Sequence, residues 1–235
     1  MTRIVNNCVA LVCLCLFWGQ SLRAADASHS EQIKWGNESV FNEEHNTLGL
    51  FSGVLGGQIV LAGGTSDDYS RWGRNAVCLS ENAGFALYED VLSKPLAYGA
   101  SITLSDGILC IGGRDSSQCY EDVFFVTMQQ GKLNVSEDWP PLPFPLSNAA
   151  GALLNNKVYL FGGRKSVSPS RLSDSFFVLD LSNKSRGWKE LPGYPGCVRE
   201  DAILVVQNNG VSPCLYLLGG QTETEEGLSS CLTDG

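Results

Sequence analysis

The segment KVYLFGG, at residues 157–163, is a short apolar run that ends in two glycines. Similar runs stand at residues 58–64 (QIVLAGG), 108–113 (ILCIGG) and 214–220 (CLYLLGG). The motif therefore returns after roughly fifty residues, a period that is typical of a propeller blade of four β-strands and not of a helical repeat. The sequence predicts an all-β propeller with four-stranded antiparallel blades, about four of them within this chain.

Other segments of each repeat supply the remaining strands of a blade. In the third repeat, Ala149–Leu154 and Asp174–Leu179 flank the glycine-ended run, and the turn Asn155-Asn156 suits a tight hairpin. An aromatic residue marks the fourth strand and is expected to pack between blades. These aromatic residues are Tyr88, Trp139 and Trp188.

The strand order decides where a functional site is expected. In an antiparallel meander, the segments after each Gly-Gly pair and those after the periodic prolines meet at one mouth of the central channel. Loops that converge on a rigid scaffold are the usual place for a site. The prolines are Pro95, Pro145 and Pro195.

The last repeat is short. Its first two strands are predicted at Ala202–Val206 and Cys214–Leu218, and Leu228–Thr233 is expected to begin its third. Two interpretations remain open: a truncated propeller, which we favour, or a four-bladed ring that a strand around Trp35 closes. An incomplete ring would expose apolar blade faces and strand edges, and would tend to self-associate.

The N-terminus differs from the repeats. Arg3 precedes an apolar run, and Ala25-Asp26-Ala27 offers a cleavage pattern, so residues 1–27 are predicted to be a signal peptide and residues 28–235 the propeller. The alternative is an uncleaved anchor. We expect a periplasmic or secreted protein with no membrane association after cleavage.

Composition limits the classes of binding partner and the states expected for the cysteines. A net charge of −9 without a basic cluster argues against binding to nucleic acid. Six cysteines follow the signal segment, among which Cys110 and Cys119 are the most plausible disulfide, although buried free thiols are about as plausible. No Cys-x-x-Cys motif supports a metal site.

Several segments together resemble one group of kelch β-propellers. They are the Leu50–Gly64 run, PLAYGAS at Pro95–Ser101, ILCIGG, and YPGCVRED at Tyr194–Asp201. They are similar to the cyclically permuted kelch proteins of the sialic acid mutarotase (N-acetylneuraminate epimerase) family. The resemblance implies a six-bladed ring, a small acidic sugar as substrate, and an isomerase that opens the sugar ring by general acid–base catalysis without a metal or cofactor.

Candidate site residues follow from the repeat and the resemblance. Glu200 and Asp201 are the possible bases, unless they pair with Arg199; the family's Gly-Glu…Arg segment is not found in this sequence. A carboxylate substrate favours binding by arginine. The expected substrate-binding residues are Arg199, Arg114, Arg164, Tyr98 and Asn148.

Alternatives remain for these residues and for the function. Arg114 and Arg164 hold equivalent places after their glycine pairs and can instead form structural ion pairs, for example with Asp122 and Asp174. A kelch module that binds glycans or proteins without catalysis would use the same loops, and fold alone does not separate the two functions.

Overall fold

The computed structural model describes residues 48–80, 84–223 and 229–232. The predicted signal peptide and the strand around Trp35 lie outside the described residues. The described residues are almost entirely β-strand and turn, with one short 3₁₀ helix at Leu181–Arg186. The predicted all-β blade architecture is confirmed.

Three consecutive repeats form four-stranded antiparallel sheets. Within each sheet the strands lie side by side in chain order, as the meander requires. The first blade contains β1 (Phe51–Leu55), β2 (Gln58–Ala62), β3 (Ala76–Ser80) and β4 (Gly84–Tyr88); the second contains β5 (Ala100–Thr103), β6 (Ile108–Ile111), β7 (Val123–Gln129) and β8 (Lys132–Ser136).

The third and fourth repeats carry an extra hairpin after their glycine pair. The third contains β9 (Ala150–Leu154), β10 (Lys157–Phe161), the hairpin β11 (Arg164–Ser166) and β12 (Arg171–Leu172), then β13 (Phe176–Asp180) and β14 (Lys189–Leu191). The fourth contains β15 (Ile203–Asn208), β16 (Pro213–Leu218) and the hairpin β17 (Gln221–Glu223) and β18 (Ser229–Cys231).

This hairpin corrects the prediction for the end of the chain. Ser229–Cys231 pairs with Gln221–Glu223 and not with β16, so the segment predicted as a third blade strand belongs to the loop after Gly219-Gly220. The third repeat has β11 and β12 in the same place, ahead of its true third strand. Within the described residues, β16 pairs with β15 alone.

The glycine pairs join neighbouring blades. Gly112 has a φ of 62°, and a Cβ there would overlap the carbonyl oxygen of Leu146 in the next repeat. The amide of Gly113 donates a hydrogen bond of 2.8 Å to that same oxygen. Only glycine combines this backbone conformation with so close an approach, which explains why the pair recurs.

The core lies between the blades. On β6, Cys110 packs against the first blade with Phe51 and Phe124, whereas Leu109 faces the third blade with Leu160. Successive residues of a strand point to opposite faces, so a strand that is buried on both faces must be apolar throughout. This arrangement accounts for the uninterrupted apolar runs in the sequence.

The aromatic residues that were predicted to mark the fourth strands pack between blades as expected, although Trp139 and Trp188 lie just outside β8 and β14. Trp139 and Trp188 are partly buried against the core between the second and third blades. The ring of Trp139 lies 5.2 Å from that of Phe125, and Nε1 of Trp188 donates to the carbonyl oxygen of Pro140 at 3.0 Å. The second bond ties the third blade to the second.

Of the two alternatives for Cys110 and Cys119, the structure shows buried free thiols and not a disulfide. Cys110 and Cys119 are both free thiols, because they belong to different environments. Cys110 is enclosed in the core beside the first blade, where burial raises its pKa, while Sγ of Cys119 lies 3.4 Å from Oγ of Ser147.

Candidate functional site at the channel mouth

Four residues, one from each repeat, form a partial ring in which three backbone hydrogen bonds link them in series. The amide of Tyr98 donates to the carbonyl of Gly49 at 2.7 Å, that of Asn148 to Tyr98 at 2.6 Å, and that of Asp201 to Asn148 at 3.0 Å. All four residues have positive φ, between 53° and 65°. The predicted equivalence of Tyr98 and Asn148 is confirmed, and the partial ring places their side chains and that of Asp201 in sequence around the channel mouth.

Asp201 is the member of this partial ring that carries a carboxyl group. Burial raises its pKa, as does the neighbouring charge of Glu200, although a hydrogen bond from Asn148 opposes the shift. Nδ2 of Asn148 donates to Oδ1 of Asp201 at 2.8 Å, and the buried Oδ1 of Asn148 has no hydrogen-bond partner within the described part of the chain. The pair therefore presents a carboxyl group with a raised pKa beside an unused acceptor.

Arg164 is held by a carboxylate. Its Nε donates to Oε2 of Glu200 at 2.8 Å, and its Nη2 donates to the other oxygen of the same carboxylate. Its Nη1 donates to Oγ of Ser170 at 2.8 Å, and Nη2 lies 3.6 Å from Oε1 of Glu223. Glu200 is only 7% exposed, so this two-pronged pair is largely screened from water.

The expected alternatives for these charges differ from what the structure shows. Glu200 pairs with Arg164 and not with Arg199, and Asp122 accepts a hydrogen bond of 2.9 Å from Nζ of Lys94 instead of pairing with Arg114. The idea of one ion pair repeated at both arginine positions is therefore wrong.

Arg114 is surrounded by aromatic rings. Its guanidinium carbon lies 4.6 Å from the ring centre of Tyr98, 5.1 Å from Trp72 and 6.0 Å from Tyr69. Nη1 makes a long hydrogen bond of 3.4 Å to the carbonyl oxygen of Asp115. Among the described residues Arg114 forms no salt bridge.

Arg199 is not brought together with the other candidates. It holds the repeat position that Leu96 and Leu146 hold in the preceding blades, since its carbonyl oxygen accepts the bond from the second glycine of the pair. Its side chain is 1% exposed, lies over the ring of Tyr194 at 5.0 Å, and donates to the carbonyl oxygen of Gly219 at 2.9 Å. These contacts join the last two repeats.

Sequence reasoning missed four residues at the mouth. Tyr69 and Trp72 form the aromatic surroundings of Arg114, and Ser170 and Glu223 contact Arg164. All four lie in loops that follow a glycine pair. Two aromatic residues within the polar segment TSDDYSRWGR were a usable signal, because that segment holds the same loop position as the two arginines.

Two clefts in the described part of the chain lie away from the channel mouth. One, of about 550 Å³, is at the opposite face and is lined by turn residues such as Asp106 and Asn156. The other, of about 470 Å³, lies beside β16 and includes Tyr194. We place the candidate site at the mouth, because ionisable groups, arginines and an unused acceptor converge there and not in either cleft.

Two further features are absent from the described residues. These residues contain no group of three or more His, Cys, Asp or Glu residues that could hold a metal ion. No helix in this part of the chain is long and apolar enough to cross a membrane.

Comparisons with known proteins agree with the fold. The kelch motif matches residues 145–192. The solved structure titled "Structure of YjhT" superposes with a TM-score of 0.62 at 14% identity, covering 79% of this chain and 64% of that one. The chain therefore has a β-propeller fold and carries a kelch motif in its third repeat.

The similarity in sequence concerns a narrower group of proteins than the similarity in fold. Over 106 residues the chain is 31% identical to the N-acetylneuraminate epimerase of Vibrio cholerae, which covers 45% of this chain and 25% of the relative. It is 32% identical over 89 residues to the Yersinia pestis epimerase, covering 38% and 20%, and 29% identical over 99 residues to that of Haemophilus influenzae, covering 42% and 24%. The matched part spans about a quarter of these relatives or less.

Proposed function

We propose that the protein is a sugar mutarotase that interconverts the anomers of N-acetylneuraminate by acid–base ring opening. The observation that carries the proposal is the position of Asp201, a carboxyl group of raised pKa on the partial ring beside Asn148. The similarity to N-acetylneuraminate epimerases supports the choice of substrate.

Opening of the sugar ring requires that the anomeric hydroxyl lose a proton and that the ring oxygen gain one. Asp201 takes the proton of the anomeric hydroxyl while the bond between the anomeric carbon and the ring oxygen breaks, and the ring oxygen takes a proton from water at the open mouth. Closure on the other face of the carbonyl reverses both transfers and restores the Asp201 carboxylate. A raised pKa suits this role, since the group must accept and then return a proton near neutral pH.

Two further groups assist this reaction in our proposal. Nδ2 of Asn148 holds the carboxylate of Asp201 in place through its hydrogen bond, and Arg114 binds the sugar carboxylate through its free N–H groups. Both oxygens of Glu200 accept hydrogen bonds from Arg164, so in our proposal Glu200 takes no proton from the sugar. We also propose that the protein acts after export to the periplasm or the exterior, as its N-terminal sequence indicates.

Anomer exchange tests this proposal directly. Saturation-transfer NMR on N-acetylneuraminate should show exchange well above the spontaneous rate with the full chain. Asp201→Asn should slow it by about 10²-fold or more, the usual contribution of a positioned acid–base group. Asp122→Asn, which alters the ion pair with Lys94, is the matched control and should exchange as the wild type does.

Two results would contradict the proposal. One is a folded wild-type protein that leaves the exchange at its spontaneous rate, and the other is an undiminished rate in Asp201→Asn.

The ring of Tyr69, half exposed at the mouth, favours the second candidate function, a glycan-binding module, because aromatic faces pack against sugars. That module would bind the sugar without accelerating exchange.

A further inference from the structure

The loop after the first glycine pair is held rigid by its own side chains. Asp68 accepts hydrogen bonds from Oγ of Ser66 at 2.6 Å, from the amide of Ser70 at 3.0 Å and from its hydroxyl at 2.8 Å. These bonds lower the pKa of Asp68 to about 2, so the carboxylate is ionised at all ordinary pH values. Oγ1 of Thr65 closes the loop by donating to the carbonyl oxygen of Arg71 at 2.7 Å.

This rigid loop presents two aromatic rings to a third. Tyr69 stacks on Tyr98, with ring centres 6.5 Å apart and planes inclined by 21°, and Trp72 meets Tyr98 edge-on at 6.4 Å. Nε1 of Trp72 donates to the carbonyl oxygen of Tyr69 at 3.1 Å. We call Tyr69, Trp72 and Tyr98 the aromatic cage; it encloses the guanidinium of Arg114.

The aromatic cage restrains Arg114 without occupying its hydrogen-bond donors. Rings attract a guanidinium through their faces, whereas a carboxylate binds it through N–H groups in its plane. Arg114 uses one such group, in the long bond to Asp115. A caged arginine is thus held in place and still able to bind a carboxylate in the two-pronged mode.

We propose that the aromatic cage positions Arg114 to bind the carboxylate of an acidic sugar, with Trp72 and Tyr69 as positioning residues. This inference rests on the proposed function for the identity of the sugar. It adds that recognition of the carboxylate depends on residues of the first repeat, which touch Arg114 and not the reacting atoms.

The test compares an acid with its neutral ester by isothermal titration calorimetry on the full chain. Wild type should bind N-acetylneuraminate roughly tenfold more tightly than its methyl ester, the value of one charge-assisted contact. Trp72→Leu keeps an apolar side chain but removes the ring, and should reduce this preference to about twofold without changing the ester's affinity. Tyr69→Phe keeps the ring and should preserve both affinities.

A second variant keeps the test informative if Trp72→Leu fails to fold. Tyr69→Leu alters a half-exposed side chain and should lower the preference about threefold. Equal binding of acid and ester by wild type would overturn the inference, as would an unchanged preference in both leucine variants. Because binding is measured apart from anomer exchange, a protein that binds selectively without exchange would refute the mutarotase proposal and leave this one standing.

Discussion

Arg114 and Arg164 occupy the same place in successive repeats and have different surroundings. Each follows a glycine pair, and each pairs through its backbone with the segment after the preceding periodic proline, Arg114 with Ala97 and Arg164 with Ser147. One guanidinium is caged by aromatic rings, whereas the other is bound by the carboxylate of Glu200. The repeat determines the backbone position of an arginine and leaves its role to non-repeated neighbours.

A single repeat position explains much of the difference. Ala97, Ser147 and Glu200 are equivalent, because each forms a backbone bridge with a residue that follows a glycine pair. At this position in the blade that follows Arg164 stands Glu200. At the same position in the blade that follows Arg114 stands Ser147, which carries no charge. Arg114 therefore lacks the carboxylate that holds Arg164.

The largest expected effect concerns the glycine pair that precedes each of the two arginines. Gly112→Ala should lower the free energy of unfolding by about 3 kcal/mol or more, since a Cβ overlaps the carbonyl oxygen of Leu146 at a positive φ. Gly131→Ala is the matched control: its φ is also positive, but the space around it is open, so strain alone should cost about 1 kcal/mol. Urea denaturation measures both, and equal losses would show that the close approach between blades is unimportant.

The next largest effect concerns the carboxylate of Glu200, which binds Arg164 and has no equivalent beside Arg114. Glu200→Ser gives Arg164 the uncharged neighbour that stands one blade earlier, and should cost about 2 kcal/mol because a largely buried guanidinium loses its partner. Arg74→Gln breaks the exposed pair with Asp90 and should cost less than about 1 kcal/mol. A loss in Glu200→Ser no larger than in this control, by urea denaturation, would mean that the buried pair does not stabilise the fold.

Much of the fold could be predicted because the period determines it. The apolar runs, the hairpin at Asn155-Asn156 and the shared position of Tyr98 and Asn148 all follow from aligning the repeats on their glycines. The extra hairpin in the last repeat could not be predicted, since a segment as short as Ser229–Cys231 does not indicate by its sequence which strand it pairs with.

The side-chain partners at the mouth were less accessible to sequence reasoning. Arg199 looked like a channel residue, but its alignment with Leu96 and Leu146 shows a position that faces the neighbouring blade. Tyr69 and Trp72 of the aromatic cage lie in a loop that follows each glycine pair but whose sequence does not repeat, so periodicity carries no information about their contacts. Contacts between loops of different blades depend on spatial neighbours that the period alone does not name.

The central claim is that Arg164 stabilises the fold while Arg114 keeps its donors for a ligand. The most direct measurement is the affinity of Arg114→Gln for N-acetylneuraminate by isothermal titration calorimetry, with the free energy of unfolding measured on the same sample. We predict an affinity at least roughly tenfold weaker and a stability within about 1 kcal/mol of wild type. An unchanged affinity, or a stability loss as large as that of Glu200→Ser, would contradict the account.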